Sequence, residues 1–368
     1  MENSKKENIK KNTIKNVVET TVENTIKNTV KNPTKGTSNS GRVVLMFPGQ
    51  GSQYIGMGKE FLIKNSEFNK YFDISSDILG ENLLSIINDS NNKGYLLNKT
   101  KYSQIAIYTL SCVLNDYLMK QNIIDKGRVK YTIGHSLGDY SALYSCGGYD
   151  FQEGAKLVVF RGKLMAGAAS GGNTVSGKEM MMAAVIGSDI NTILNVLKKY
   201  ENSVFVANCN DYSQIVISGY KDKVLNASDE IKNLGAKKII PLKVSIASHC
   251  PLMKEASIRL SEYFDKNLKN FSNLNFYFFS STEVKKIDRG SIKETLIRQL
   301  VSPVRWVDSI EKIVDDDSNN EIKSFIEIGP QKVLSGLVRR ILPRIGREDI
   351  AVFNTDTYED IERIVNEA

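Results

Sequence analysis

Histidine is almost absent: the 368 residues hold two, His135 and His249. Any chemistry that needs an imidazole therefore has only those two to choose from. Cysteine occurs four times. Cys112, Cys146, Cys209 and Cys250 have no metal-type spacing and are too sparse for a disulfide scaffold. They read as reduced thiols, with Cys250 a small buried filler despite its place beside His249. No metal site is expected. No run approaches the ~18 consecutive apolar residues of a membrane-spanning helix, and no apolar stretch follows Met1. Neither a membrane partner nor an intact secretory signal is expected. Arginine-rich or aromatic-interleaved basic patches are also missing, which argues against nucleic acid.

What is present is ordinary for a globular chain with a substantial core: 41% hydrophobic and 25% charged residues, with a net charge of +7. Of that charge, +4 falls within residues 1–40, so the rest of the chain is only mildly basic. Residues 1–40 carry the near-repeats NTIKN, VENTIKN and NTVKN and contain no Arg, Phe, Trp or Tyr. Such a segment cannot bury enough apolar surface to offset its ordering entropy and is expected to be a disordered, low-complexity arm. Basic and rich in Thr, it weakly resembles a transit region of an organelle such as a plastid or mitochondrion; a low-complexity tail of a cytoplasmic protein is the alternative.

From Arg42 the pattern becomes that of an α/β fold. Val43 to Phe47 is a continuous apolar run, as in a buried parallel strand, and it breaks at Pro48-Gly49-Gln50-Gly51-Ser52-Gln53. A helix over Ser103–Lys120 leads to a strand over Val129–Ile133. From Ala183 the order becomes strand, helix (189–200), two hairpin strands (203–207 and 214–218), helix (221–234) and strand (238–242). That β-α-β-β-α-β order is the signature of a ferredoxin-like unit. The expected architecture is an α/β-hydrolase-like larger domain with a parallel sheet (41–177 and 245–368) and an inserted ferredoxin-like small domain (178–244). Further elements are a helix over 252–267, strands over 274–280 and 324–328, a helix over 291–300 and a last strand over 351–353.

The chemistry concentrates at Tyr131 to Leu143, YTIGHSLGDYSAL. This is a G-x-S-x-G between a strand and a helix, the context in which the motif has mechanical meaning. Glycines two before and two after Ser136 permit a sharp turn that pushes the hydroxyl out, and the helix that follows aims its free N–H groups at the site of a developing oxyanion. A serine nucleophile needs a base. His135 adjoins Ser136 on a tight turn where neighbouring side chains diverge, so it reads as structural or lining the site. His249 is the better base. Its orienting group stays open: Asp189, Asp211, Asp222 and Asp229 lie between Ser136 and His249, all in the inserted domain, and a backbone carbonyl serves as well. Arg161 interrupts an otherwise apolar helical run, Leu157 to Met165, and its planar fork matches a carboxylate.

Six segments in order, FPGQGSQ (47–53), GHSLGDYSAL (134–143), VVFRGKLM (158–165), VSIASHCPLM (244–253), RQLVSPVRW (298–306) and IEIGPQKVLSGL (326–337), resemble the malonyl-CoA:acyl carrier protein transacylases. The resemblance runs from Arg42 to about Pro343. It implies Ser136 as nucleophile, His249 as base oriented by the backbone carbonyl of Gln299, and the amides of Gln50 and Leu137 as oxyanion donors. It further implies Arg161 as the holder of the malonyl carboxylate, with His135, Met165 and Ser248 lining the substrate site, and Lys237 and Lys238 facing an acidic carrier protein. The implied reaction is a ping-pong transfer from malonyl-CoA to the phosphopantetheine thiol of acyl carrier protein in type II fatty acid synthesis, by a monomer without a cofactor. Asp139 stands where the family more often has Glu, and Ser248 where many malonyl-selective polyketide acyltransferases have Phe. Two other readings compete: a serine esterase or thioesterase of the α/β-hydrolase type, which calls for an acidic third residue and a base near the C-terminus, and an inactive carrier-binding module.

Overall fold

The computed structural model describes residues 41–367 apart from 92–93, 170–177, 243, 245 and 269. The expectations about residues 1–40, including the organelle resemblance, lie outside the described residues. The strands in chain order are β1 (Arg42–Phe47), β2 (Val129–Gly134), β3 (Met180–Ile186), β4 (Val204–Asp211), β5 (Gln214–Tyr220), β6 (Lys238–Pro241), β7 (Tyr277–Ser280), β8 (Lys285–Ile287), β9 (Val304–Arg305), β10 (Ile322–Glu327) and β11 (Ala351–Asn354).

They form two sheets. The larger runs β11-β10-β1-β2-β7-β8. Its first five strands are parallel, and β8 pairs antiparallel with β7. The sheet is therefore mixed rather than wholly parallel. The short β8 was not anticipated because Lys285-Lys286-Ile287 has no apolar alternation and forms an exposed edge. The central strand β1 explains its own composition. Val43, Leu45 and Phe47 pack into one core cluster while Val44 and Met46 pack into the cluster on the opposite face. A strand buried on both faces has no polar side to show.

The smaller sheet runs β6-β3-β5-β4-β9. Each neighbouring pair among its first four strands is antiparallel, and the helices Ile190–Leu197 and Lys221–Asn233 contribute Ile193, Val196, Leu197, Val224, Ala227 and Ile231 to the core on one face. The fifth strand is a departure from the sequence reading. Val304–Arg305, to which the sequence reading assigned no element, pairs parallel with β4 and so belongs to a sheet whose other strands lie within 178–244. Two residues are too few to leave a periodic signal.

Two features of the larger sheet position the site. First, β1 and β2 are parallel neighbours in register Phe47↔Gly134, so the loops after both strands emerge at the same sheet edge. In open parallel sheets ligands bind outside that carboxyl edge. Second, two long helices back the elbow. Thr100–Lys120 is buried on nearly every side, and Phe151–Ala169 packs beside it. Burial leaves a polar residue on the inner faces of these helices in need of a partner.

Candidate active site

The turn after β2 is shaped by close backbone approach. A Cβ on Gly138 would lie 1.9 Å from the Phe47 carbonyl oxygen, and one on Gly134 would lie 2.0 Å from the Asp139 nitrogen. No side chain fits at either position, so the chain can pass from β2 into the helix Gly138–Ser145 only with glycine there. Ser136 sits at the apex with φ 54°, a left-handed conformation costly for a residue with a Cβ. The His135 amide donates to the Phe47 carbonyl at 3.0 Å, which ties the turn to the loop carrying Gln50. The Gln50 side chain donates to Thr100 Oγ1 at 3.3 Å. Among the described residues, no acceptor faces the backbone N–H of Gln50 or of Leu137.

His249 also has a left-handed backbone, φ 60°, and its ring reaches the elbow. Nε2 lies 2.8 Å from Ser136 Oγ and Nδ1 lies 2.9 Å from the Gln299 carbonyl oxygen. Because a carbonyl only accepts, Nδ1 carries the hydrogen and Nε2 is left as the acceptor for the serine hydroxyl. Gln299 can offer that carbonyl because it is the last residue of the helix Ile292–Gln299, where the final turn's carbonyls have no intrahelical donor. Burial, reinforced by the Arg161 charge and only partly offset by the Gln299 carbonyl, pushes the imidazole down to about 3. The ring is neutral at physiological pH. Of the aspartates in the inserted segment, Asp189 caps the helix Ile190–Leu197 and Asp211 pairs with Arg340 at 2.7 Å, so neither orients His249.

Arg161, from the helix Phe151–Ala169, is 1% exposed. Its Nη1 donates to Gln104 Oε1 at 2.7 Å, and its Nη2 donates to Gln299 Oε1 at 3.2 Å and to Ser136 Oγ at 3.3 Å. Its Nε has no acceptor among the described residues. The guanidinium also lies over the Tyr140 ring, 5.2 Å from the centroid. A buried cation held only by neutral acceptors retains unmet demand for a carboxylate.

Four residues named from the sequence thus converge: Ser136, His249, Gln299 and Arg161. His135 turns away from Ser136, with Nε2 2.9 Å from Asn210 Oδ1 on β4 and its ring packed on Trp306. Met165 is buried, and its sulfur accepts from Gln104 Nε2 at 3.3 Å, which places it behind Arg161. Ser248 is buried beside His249. Lys237 and Lys238 are exposed at the start of β6. Sequence reasoning missed Gln104 and Asn210 and the use of the Gln299 side chain. Gln104 had no distinguishing signal, because the same buried helix carries a second buried amide, Asn115. Asn210 had none either, since polar residues near the end of a strand are commonplace.

The model of the acyl transferase domain family matches residues 44–353. The malonyl CoA-acyl carrier protein transacylase of Haemophilus influenzae is 37% identical over 322 residues, covering 85% of this chain and 97% of its own. That of Bacillus subtilis is 37% identical over 321 residues, covering 86% and 95%. Among solved structures, a malonyl-transacylase in complex with its type II polyketide acyl-carrier protein superposes with a TM-score of 0.79 at 31% identity, covering 89% of this chain and all of its own. The transacylase of Streptococcus pneumoniae gives 0.76 at 31%, with the same coverage. With its elbow serine, its neutral histidine and matches of this extent, the chain belongs to the acyl transferase domain family, among the malonyl CoA-acyl carrier protein transacylases.

Proposed function

We propose that this chain transfers the malonyl group from malonyl-CoA to the phosphopantetheine thiol of an acyl carrier protein, through a malonyl ester on Ser136, and so supplies fatty acid synthesis. The observation that carries the reading is the position of Ser136 Oγ between His249 Nε2 at 2.8 Å and Arg161 Nη2 at 3.3 Å. A nucleophile, its base and a buried cation share one hydrogen-bond network, as an acyl group bearing a second carboxylate requires.

In the first half-reaction Ser136 Oγ attacks the thioester carbonyl while its proton passes to His249 Nε2. The amides of Gln50 and Leu137, which lack acceptors among the described residues, hold the oxyanion. The C–S bond breaks, and His249 returns the proton to the departing CoA sulfur. In the second half-reaction the phosphopantetheine thiol attacks the ester carbonyl, giving its proton to His249. The C–O bond then breaks and the proton goes back to Ser136. Throughout, Arg161 holds the distal malonyl carboxylate. Both exchange partners are thiols and the nucleophile is a side chain, so the cycle is written without a cofactor.

We also read the body as an α/β-hydrolase-like domain, 41–177 and 245–368, with a ferredoxin-like insertion, 178–244. Support comes from the β3 to β6 strands, which lie in the sheet order fourth-first-third-second. Lys237 and Lys238, exposed at its edge, are assigned to carrier docking.

Incubation with radiolabelled malonyl-CoA tests the function. Stable label on Ser136 that moves to added holo-carrier is the expected result; rapid release of free malonate, or no label, would overturn it.

A further inference from the structure

Ser136, His249 and Arg161 are each touched by one residue, Gln299, which is 0% exposed. Its backbone carbonyl holds His249, and its side-chain oxygen accepts from Arg161 Nη2 at 3.2 Å. Its side-chain nitrogen donates to the Ser136 carbonyl oxygen at 2.8 Å and to Asp139 Oδ2 at 2.5 Å. A primary amide has one accepting end and one donating end. If the accepting end faces Arg161, the guanidinium is held; if the ends are exchanged, an NH₂ faces a cation. Both hydrogens of Nε2 are used, one by a main-chain carbonyl and one by Asp139, and these two acceptors decide which end Arg161 meets.

Resting on the transacylase reading, we propose that Asp139 is a positioning residue for malonyl selectivity: by accepting from Gln299 Nε2 it locks the amide so that Gln299 Oε1 holds Arg161 over the nucleophile. Asp139 is fully buried in the first turn of the elbow helix, its Oδ1 has no partner among the described residues, and it touches neither Ser136 Oγ nor His249. It forms no ion pair with Arg161 within 4 Å among the described residues. The two groups still attract each other through space; an asparagine oxygen at the same position supplies the acceptor atom without the charge and so separates the two contributions. The other end of the guanidinium is independently held by Gln104. Loss of the Asp139 contact should loosen Arg161 rather than release it.

The test measures kcat and KM for malonyl-CoA and for acetyl-CoA as acyl donors to holo-carrier. In Asp139→Ala the KM for malonyl-CoA should rise and the preference for malonyl over acetyl fall by about tenfold, the scale of one hydrogen bond to a charged partner. The kcat for malonyl transfer should stay within about threefold, because the Ser136–His249 contact is untouched. Asp139→Asn should restore the preference. In a Gln299→Ala background, Asp139→Ala should change selectivity no further. Equal loss of kcat for both donors, a poor Asp139→Asn, or an undiminished effect of Asp139→Ala without the Gln299 side chain would each overturn the proposal. If Asp139→Ala does not fold, Asp139→Asn alone decides, since loss of malonyl preference there removes the acceptor argument. Failure of wild-type protein to form malonyl-Ser136 would instead strike the transacylase reading.

Discussion

Ser136 Oγ and His249 Nε2, separated by 113 residues in the chain, lie 2.8 Å apart on two left-handed backbone turns. Each turn aims its side chain at the other, and each carries backbone strain that the surrounding packing must hold in place. Replacing His249 with Ala should lower the rate of malonyl loading by about 10²–10⁴-fold, measured as burst labelling of Ser136.

The same burial that keeps His249 neutral sets a pH signature. An ordinary imidazole charges near 6.5, whereas this one is pushed down to about 3. The profile of kcat/KM for malonyl loading should stay flat from pH 7 to 4.5, with no acid limb near 6.5. For stability the sign is fixed by linkage. The folded value is depressed, so the unfolded chain binds the extra proton, and the contribution is present above 6.5 and lost as pH falls toward 3. Urea unfolding of His249→Ala should show a shallower decline over that interval.

Arg161→Ala should let uncharged acyl groups compete. The side-chain acceptors of Arg161, Gln104, Gln299 and Ser136, would remain and the cation would go. The malonyl-to-acetyl ratio of kcat/KM should fall by about 10²-fold, the scale of a buried charge-assisted contact. Competition between the two labelled donors measures it directly.

Gly138→Ala should be among the most damaging single-methyl changes in the chain. Its Cβ would sit 1.9 Å from the Phe47 carbonyl oxygen, and backbone cannot retreat as a side-chain tip can. A loss of about 3 kcal/mol is expected, together with loss of Ser136 labelling; chemical denaturation gives the first and radiolabel the second.

Glu327, at the end of β10, is fully buried and accepts the amides of Leu334 and Ser335, one on each carboxyl oxygen. Burial pushes it up to about 7 despite those bonds. A raised carboxyl favours the folded state while protonated, so this contribution is complete below about 4.3 and is lost as pH rises through 7. Glu327→Gln turns an NH₂ toward one of the two amides and should cost about 1–3 kcal/mol. It should also flatten the stability profile between pH 4.5 and 7, as thermal melts across that range will show.

Reversing the charge of Lys237 and Lys238, both exposed, should raise the KM for the carrier protein and reduce its salt dependence without altering malonyl loading. Steady-state assays at two ionic strengths separate the two effects.

Much of the fold was legible because its signals are local. The apolar run of β1, the glycines of the elbow and the alternation of β3 through β6 each follow from steric or hydrophobic rules that act over a few residues. β8 and β9 were not legible: each is two or three residues long and exists only because a neighbouring strand offers an unpaired edge. The site divides in the same way. Ser136 announces itself through its glycines, and Arg161 through an apolar helix that has no other use for it. Gln104 and Asp139 gain meaning only from what they touch.

By itself the sequence determined the candidate nucleophile, the shortlist of bases and the family, because a sharp turn admits only glycine and two histidines leave little choice. The tertiary structure decided which acceptor holds each donor. Gln299 meets His249 with its main chain, and Arg161 and Asp139 with opposite ends of one amide. Those pairings depend on directions in space between helices far apart in the chain, and a buried polar group takes whichever partner the packing brings within reach.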